Sequence, residues 1–554
     1  MKEKYLKKVF KLDEDSLLCK YLKDNFKNFT LAGYIEYLAK YDGDILALCH
    51  VDKDNNKTEF TYKDLNLKAN KMANYLKNKG IKKGDVVALV LRNNYEFFIA
   101  VLALQKLGAV TMPLFYTNKK DQYKSIFERS NVKCVIAEDY EIKQSKDTSS
   151  YVLDEIDNAC KDSVIKICNH PKSNYSNSWN NLGYYEKESN VFKSEKVKIT
   201  DLGYLFATSG TTGEPKLVMH NYGFSLAHYF TGLWYGVKKG NKHLTICDSG
   251  WAMSSWSMPG VFLHQGTIYV NDFDRFDEEK ILNAIKEENI KSLCAPRTML
   301  KKFTNYLEKN DNNMEGQLES IASAGEPLSD DDKELVKSFF GIYLKEGYGM
   351  TEVALPLYED GSGKKVISPL YSNVRIDKKN NEKVGEIIVE GGKLGLLMGY
   401  LDKKKKYVLY RKPPIKKGKV IWHTSDMGHI DEKGNIICDG RYGCIVKIND
   451  CLVNKNDVEK IIKTHPLVSD CVVESKKDDV SGNILIAKVE LKDPNSVLSK
   501  EEIKMYVKSK LQDYCRPKNV EFTILPRSNS GKVIKEYEEP VPDKCLVLCR
   551  KKVS

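Results

Sequence analysis

Residues 85–114 constrain the fold more than any other stretch. "DVVALVL" (85–91) is a short apolar run with the length and β-branched content of a buried strand. "YEFFIAVLALQKLG" (95–108) has helical length and stops at Gly108, and "AVTMPL" (109–114) is a second strand-like run. Strand, helix and strand joined by tight links make a βαβ unit, the building block of parallel sheets with helices on their faces. The rhythm begins earlier. Apolar residues at Leu65, Leu67, Ala69, Met72, Ala73 and Leu76 have helical spacing, and Gly80 ends it. "VKCVIAED" (132–139) extends it.

The alternation resumes after residue 200. We expect a strand at 202–206, a helix at 222–235, a strand near 244–247 and a helix at 278–288 before the strand "IKSLCAP". A helix at 297–306 precedes "ESIASAGEPLS", and "IYLKEGYGMTE" (342–352) reads as a strand running into a small-residue turn. From Val384 hairpins dominate: "VGEIIVEGG", then "VIWHTSDMGHIDEKGNIICDGR" with a turn at Lys433-Gly434. Beyond Arg441 come helices in "NDVEKIIKTH" and 500–512 and strands in "NILIAKVEL" and "VEFTIL". The expected fold is α/β: a large N-terminal domain (1–440) with βαβ-type sheets plus a strand-rich part, and a smaller, mobile α+β C-terminal domain (441–554). Residues 140–200, rich in Lys, Asn and Ser, read as a surface loop or insertion without chemistry.

One stretch carries chemistry on its own residues. "FATSGTTGEPKLV" (206–218) follows the 202–206 strand. A phosphate chain needs many short donors close together. Thr208, Ser209, Thr211 and Thr212 offer hydroxyls, Gly210 and Gly213 let the backbone approach, and Lys216 adds a mobile cation. Glu214 and Pro215 complete the loop. It is not a Walker A loop, whose G-x-x-x-x-G-K-[ST] spacing is absent.

Composition excludes several classes. No apolar run approaches the ~20 residues of a membrane helix; the most apolar, 97–115, is broken by Gln105, Lys106 and Gly108. Charges occupy the place where a signal peptide keeps its apolar core, so a cytoplasmic protein is expected. The 88 Lys+Arg against 76 Asp+Glu give a net charge of +12, spread along the chain and without an aromatic-interleaved basic stripe, which argues against nucleic acid as a partner. Fourteen scattered cysteines form no C-x-x-C pair and read as free thiols in a reducing compartment.

Read in order, "TSGTTGEPK" (208–216), "GW" (250–251), "GEP" (325–327), "YGMTE" (348–352), "TSD" (424–426), "GR" (440–441) and "SGK" (530–532) resemble the AMP-forming adenylate synthetases. Within that superfamily "DSGW", "AGEPL" and "YGMTE" are most similar to acetyl- and medium-chain acyl-CoA synthetases. The resemblance implies ATP-dependent activation of a carboxylic acid to acyl-AMP, then thioester formation with CoA. It implies ATP and Mg²⁺ as cofactors and CoA as co-substrate. Residues 208–216 would hold the β- and γ-phosphates. Gly325, Glu326 and Pro327 would line the adenine and ribose side, with Glu346, Gly347, Gly349 and Met350 around the nucleotide and Tyr348 against adenine. Thr351 would contact the α-phosphate and Glu352 would hold Mg²⁺. Asp426 would accept the ribose hydroxyls, Arg441 would reach the ribose, and Lys532 would stabilise the transition state. Trp251 would line the acyl pocket, or be an ordinary core aromatic.

Departures from the pattern sharpen the expectation. Acetyl-CoA synthetases place a Trp where Gly349 stands, so a medium-chain or aromatic acid is favoured over acetate, and Gly349→Trp should shift preference toward acetate or propionate. Leu217 and Ser425 stand where the family usually has Gly. Past the boundary, Gly443, Cys444, Asp450 and Leu452 replace the hinge acid, a second Asp, a loop Gly and an Arg. Asp450 is repulsive toward an anionic acceptor and Leu452 cannot pair with phosphate, so transfer to CoA should be slow relative to adenylation. Two rivals stay open: an acyl-AMP ligase that loads an acyl carrier protein thiol or another nucleophile, and a catalytically weak nucleotide-binding relative.

Overall fold

The computed structural model describes residues 9–143, 149–169, 179–208, 215–272, 276–325, 328–378, 383–391, 394–401, 420–441, 443–448, 451–478, 482–511, 515–527 and 533. Two large sheets dominate. In the eight-stranded one, Val86–Val90 is flanked in parallel by Val110–Pro113 and Cys134–Glu138. In the nine-stranded one, Thr267–Asn271, Lys242–Thr245, Ile290–Cys294, Ser320–Ala324 and Leu344–Met350 run parallel in sequence of neighbours. The βαβ rhythm of the sequence is therefore realised twice.

The helices start and stop where side-chain chemistry tells them to. Thr61 and Asp64 form a reciprocal capping box at Tyr62–Asn78. Asn94 caps Tyr95–Leu107, and Gly108 ends it in the left-handed conformation. That helix is apolar nearly all round and is buried on all faces, as such a helix must be. Its one buried cation, Lys106, pairs with Glu36 at 2.9 Å.

A four-stranded antiparallel sheet follows, Tyr371–Asp377, Gly385–Gly391, Val420–Ile430 and Ile436–Arg441. Beyond it a smaller α+β unit has its own core, in which Val458 and Ile462 of Lys455–Lys463 and Ile503 and Val507 of Lys500–Lys508 pack on Val473, Ala487 and Val489. Gly443, beside the boundary, has φ 89°. Among the described residues no helix is long and apolar enough to cross a membrane.

Two expectations change. The 140–200 stretch is not merely a surface insertion: Ile165–Asn169 pairs with Cys134–Glu138 as a strand of the eight-stranded sheet, and Trp179 is buried. Its polar residues mask a short apolar strand that tertiary pairing stabilises. The single helix expected at 222–235 is two short ones, Gly223–Ala227 and Tyr229–Tyr235, joined at His228.

Candidate active site

Two hairpins meet at the carboxyl end of the nine-stranded sheet. Leu344–Met350 turns back into Val353–Glu359, with Met350 paired to Val353, so Thr351 and Glu352 form a two-residue tip. The strand reads "GYGM" for a packing reason. A Cβ on Gly347 would lie 2.5 Å from Cζ2 of Trp234, so only glycine admits that indole.

The second hairpin, Leu202–Thr208 with Lys216–Asn221, pairs Thr208 with Lys216 across the phosphate-loop sequence. From it His220, 1% exposed, reaches the tip: its Nε2 donates to the Thr351 carbonyl at 2.6 Å. Burial lowers its pKa to about 4, so the ring is neutral. The short Gly399–Tyr400 strand lies on the other side of the same hairpin, with Tyr400 opposite Val218. The Tyr400 hydroxyl donates to Oε1 of Glu352 at 2.7 Å, and Nζ of Lys216 lies 5.9 Å from the centre of the Tyr400 ring. Lys216, Tyr400 and Glu352 are thus contiguous.

A second group adjoins the tip from the four-stranded sheet. The Tyr348 hydroxyl donates to Oδ2 of Asp426 at 2.7 Å, and Nε of Arg441 lies 3.0 Å from Oδ1. Asp426 and Arg441 are cross-strand partners, and Arg441 also donates to the Thr424 carbonyl at 3.0 Å. Burial of Asp426, 8% exposed, raises its pKa while Arg441 opposes the rise. Each carboxylate oxygen retains acceptor capacity for a diol beside these donors.

Other expected residues are dispersed around this centre. Gly325 follows Ser320–Ala324 with φ 94°. The Pro215 carbonyl accepts from Arg129 at 2.6 Å. Glu346 is engaged: Lys365 pairs with it at 2.8 Å and the Leu328 N–H donates to it at 3.3 Å. It supports the segment after Gly325 more than it offers a free carboxylate. Trp251 directly precedes the helix Ala252–Phe262 and packs partly buried on the main core. Ser209, Gly210, Thr211, Thr212, Gly213, Glu214, Glu326, Pro327, Asp450 and Lys532 lie outside the described residues.

A side chain at position 349 would be crowded at its first carbon. A Cβ there would meet the Leu355 backbone at 3.3 Å and Cη2 of Trp256 at 3.7 Å. The strand opposite bulges between Tyr348 and Met350, and Leu355 carries the unusual φ of 27°. Tyr371 pins the bulge by donating to the Ala354 carbonyl at 2.6 Å. A side chain grafted at position 349 would therefore need the Leu355 backbone to yield by a few tenths of an ångström.

Residues 36–401 match the AMP-binding enzyme family, and residues 457–532 match its C-terminal domain. The chain belongs to the AMP-binding enzyme family. It is 28% identical over 499 residues to a 4-hydroxybutyrate–CoA ligase of Metallosphaera sedula, covering 86% of this chain and 84% of that one. It is 25% identical over 513 residues to a mitochondrial acyl-coenzyme A synthetase of Homo sapiens, covering 87% and 83%. The crystal structure of ATP-bound MatB from Rhodopseudomonas palustris has the same fold, with a TM-score of 0.72, 20% identity, and 91% and 97% of the two chains covered.

Within this AMP-binding enzyme, three residues near the centre escaped sequence reasoning: His220, Tyr400 and Trp256. The Lys216–Asn221 strand begins inside the "EPKLVMH" run, so His220 was two turns of alternation from Lys216 and could have been flagged as inward-facing. Tyr400 and Trp256 gave no such signal. Elsewhere among the described residues, Cys49, Glu59 and Glu288 gather donors of metal type. Lys57 pairs with both carboxylates at 3.0 and 2.8 Å, and burial pushes the Cys49 thiol up to about 12, so this is a neutralised ionic cluster.

Proposed function

We propose that this ligase prefers a medium-chain or aromatic carboxylic acid to acetate. The overall chemistry is that of an AMP-forming acid–CoA ligase. The carboxylate attacks the α-phosphorus of ATP and releases pyrophosphate; the CoA thiol then attacks the acyl carbon and AMP leaves. The observation that supports the adenylation chemistry is the junction of Lys216, the Thr351-Glu352 tip and the Tyr348–Asp426–Arg441 group at the end of one sheet, where α/β folds bind nucleotides; the acid preference rests on Gly349 standing where acetyl-CoA synthetases carry a Trp.

Both reactants are anions, so alignment and charge neutralisation are the central requirements. Lys216 would neutralise phosphate. The Thr351 hydroxyl, on a backbone fixed by His220, would donate to the α-phosphate. Asp426 would accept from the ribose, with Tyr348 and Arg441 holding its carboxylate in place. The Glu352 carboxylate, oriented by the Tyr400 hydroxyl, offers hard oxygen donors of the kind that suit Mg²⁺. Bound with the nucleotide, that ion would neutralise phosphate charge.

We place the domain boundary at Arg441-Tyr442-Gly443, between residues 1–440 and 441–554, with Lys532 brought to the first step and withdrawn for the second. A cytoplasmic location suits the free cysteines among the described residues. The substitutions at Asp450 and Leu452 keep one second reading in view, transfer to a carrier-protein thiol.

ATP–pyrophosphate exchange over acetate, medium-chain acids, benzoates and amino acids tests adenylation. Product analysis with CoA, with a carrier protein and with neither tests the acceptor. Exchange that is strongest with acetate would refute the acid preference. Absence of exchange with every acid would leave only a nucleotide-binding role.

A further inference from the structure

We infer that Glu386 is a positioning residue for the nucleotide: it clamps the left-handed turn at Ser425 that aims the Asp426 carboxylate at the ribose. The inference rests on the ribose assignment of Asp426 above and adds the group that sets its geometry.

The two strands that carry these residues are out of step. Between Gly385–Gly391 and Val420–Ile430, Glu386 pairs with Met427 and Ile388 pairs with His423. Thr424, Ser425 and Asp426 therefore stand opposite Ile387 alone, a bulge of three residues against one. The chain absorbs the excess at Ser425, whose φ is 62°. That region is costly for a residue with a Cβ and persists only where the surroundings hold it. On its other edge the strand pairs Asp426 with Arg441, and the Asp426 carboxylate accepts from Tyr348.

Glu386 supplies the hold. Its Oε1 accepts the Ser425 N–H at 2.9 Å, and its Oε2 accepts from Nδ1 of His423 at 2.7 Å. One carboxylate thus grips both the start of the bulge and its strained residue. Thr424 pins the turn from within: its hydroxyl donates to the Ile387 carbonyl at 2.7 Å and accepts the Asp426 N–H at 3.0 Å. Charge gives no reason for an acid at position 386. The Asp426 pKa is raised first by burial, and Glu386 adds to the rise. Glu386 therefore serves Asp426 through the backbone. Ser425 makes the clamp necessary in this chain, because a glycine would adopt the same φ at little steric cost.

The test is calorimetric binding of ATP and of 2′,3′-dideoxy-ATP, which lacks both ribose hydroxyls. The proteins are wild type, Glu386→Gln, Glu386→Ala and Glu386→Ala with Ser425→Gly. A hydrogen bond to a charged group is worth about tenfold or more in affinity, so the wild type should prefer ATP by at least about that factor. Glu386→Ala should weaken ATP by about tenfold and leave dideoxy-ATP nearly unchanged. The ratio of the two affinities cancels the change in net charge, which both triphosphates feel alike. Glu386→Gln keeps a carbonyl oxygen for the Ser425 N–H and should fall between. Adding Ser425→Gly to Glu386→Ala should recover most of the lost preference. A wild-type preference in both single variants would overturn the inference and leave the Asp426 assignment intact. Equal weakening of both nucleotides would also overturn it, as would a loss that Ser425→Gly does not recover. A wild type that binds both nucleotides equally would remove the ribose assignment, and this inference with it.

Discussion

The hydroxyl of Tyr400 donates to the carboxylate of Glu352 at 2.7 Å, from a strand that contributes only two residues to its sheet. That short strand pairs with Val218 and Met219, just after Lys216. The same phenol ring therefore faces the phosphate-loop lysine and orients the carboxylate expected to meet Mg²⁺. Losing an outer partner of a metal-ligating carboxylate typically costs 10- to 100-fold in metal affinity or activity. Tyr400→Phe should raise the Mg²⁺ concentration needed for half-maximal pyrophosphate exchange by about tenfold. It should weaken Mn²⁺ binding to the ATP complex, read by electron paramagnetic resonance, to a similar extent. An unchanged metal dependence would show that Glu352 is positioned by other means.

Lys532 should contribute to the chemical step rather than to nucleotide capture. Lys532→Ala is expected to slow pyrophosphate exchange by about 10²–10³-fold, the scale of losing one preorganised electrostatic contact. ATP affinity, measured by calorimetry, should change far less. Exchange at the wild-type rate would remove Lys532 from the mechanism.

The sequence made the architecture legible where pattern is local. Gly108 closes its helix in the left-handed conformation as its position in "QKLG" implies, and the "GYGMTE" run forms a strand and turn. The Asp426 and Arg441 motifs came together because they are cross-strand partners in one hairpin. What stayed illegible is non-local. Thr351 and His220 are 131 residues apart, and no periodicity links them. The helix Ala252–Phe262 contains Pro259, three serines and a glycine, residues that favour turns or caps when read locally. Its burial among other elements overrides that preference, and with the helix unseen Trp256 could not be placed behind Gly349. The absence of a Trp at 349 was legible, but not that Trp256 of another element packs 3.7 Å from where its Cβ would stand.

Ser425 carries backbone strain that the sequence only hinted at. It stands in "TSD" where the family usually has Gly, and its φ is 62°. The left-handed region costs a residue with a Cβ about 1–2 kcal/mol. Its N–H is retained on Glu386 at 2.9 Å, which fixes the conformation. Ser425→Gly relieves the strain but adds freedom to the unfolded chain, worth about 0.5–1 kcal/mol in the opposite direction. The net expectation is a stabilisation of up to about 1.5 kcal/mol, seen as a higher denaturation midpoint with exchange activity unchanged. A lower midpoint would mean that the serine side chain contributes more than its backbone costs.

His220 gives the site an acid limit. Its ring is buried and neutral, with its pKa lowered from 6.5 to about 4, first by burial and partly offset by the bond to Thr351. Between those values the unfolded chain takes up a proton that the native ring refuses. Stability therefore rises with pH across this window: the neutral ring costs nothing above 6.5, and a penalty accumulates as pH falls toward 4. Each pKa unit corresponds to about 1.4 kcal/mol, so the penalty reaches on the order of 3 kcal/mol at the lower end. Buried Asp248, raised to about 6, and Glu138, raised to about 7, titrate with the opposite sign, so the total pH profile mixes contributions. The difference between wild type and His220→Gln isolates the ring, because glutamine keeps a donor for the Thr351 carbonyl and does not titrate. That difference, measured by chemical denaturation, should shift in favour of the wild type from pH 4 to pH 6.5 and be flat above it. A difference that is flat throughout would mean that the imidazole reaches water when protonated, and that the Thr351 carbonyl is not held by a neutral ring.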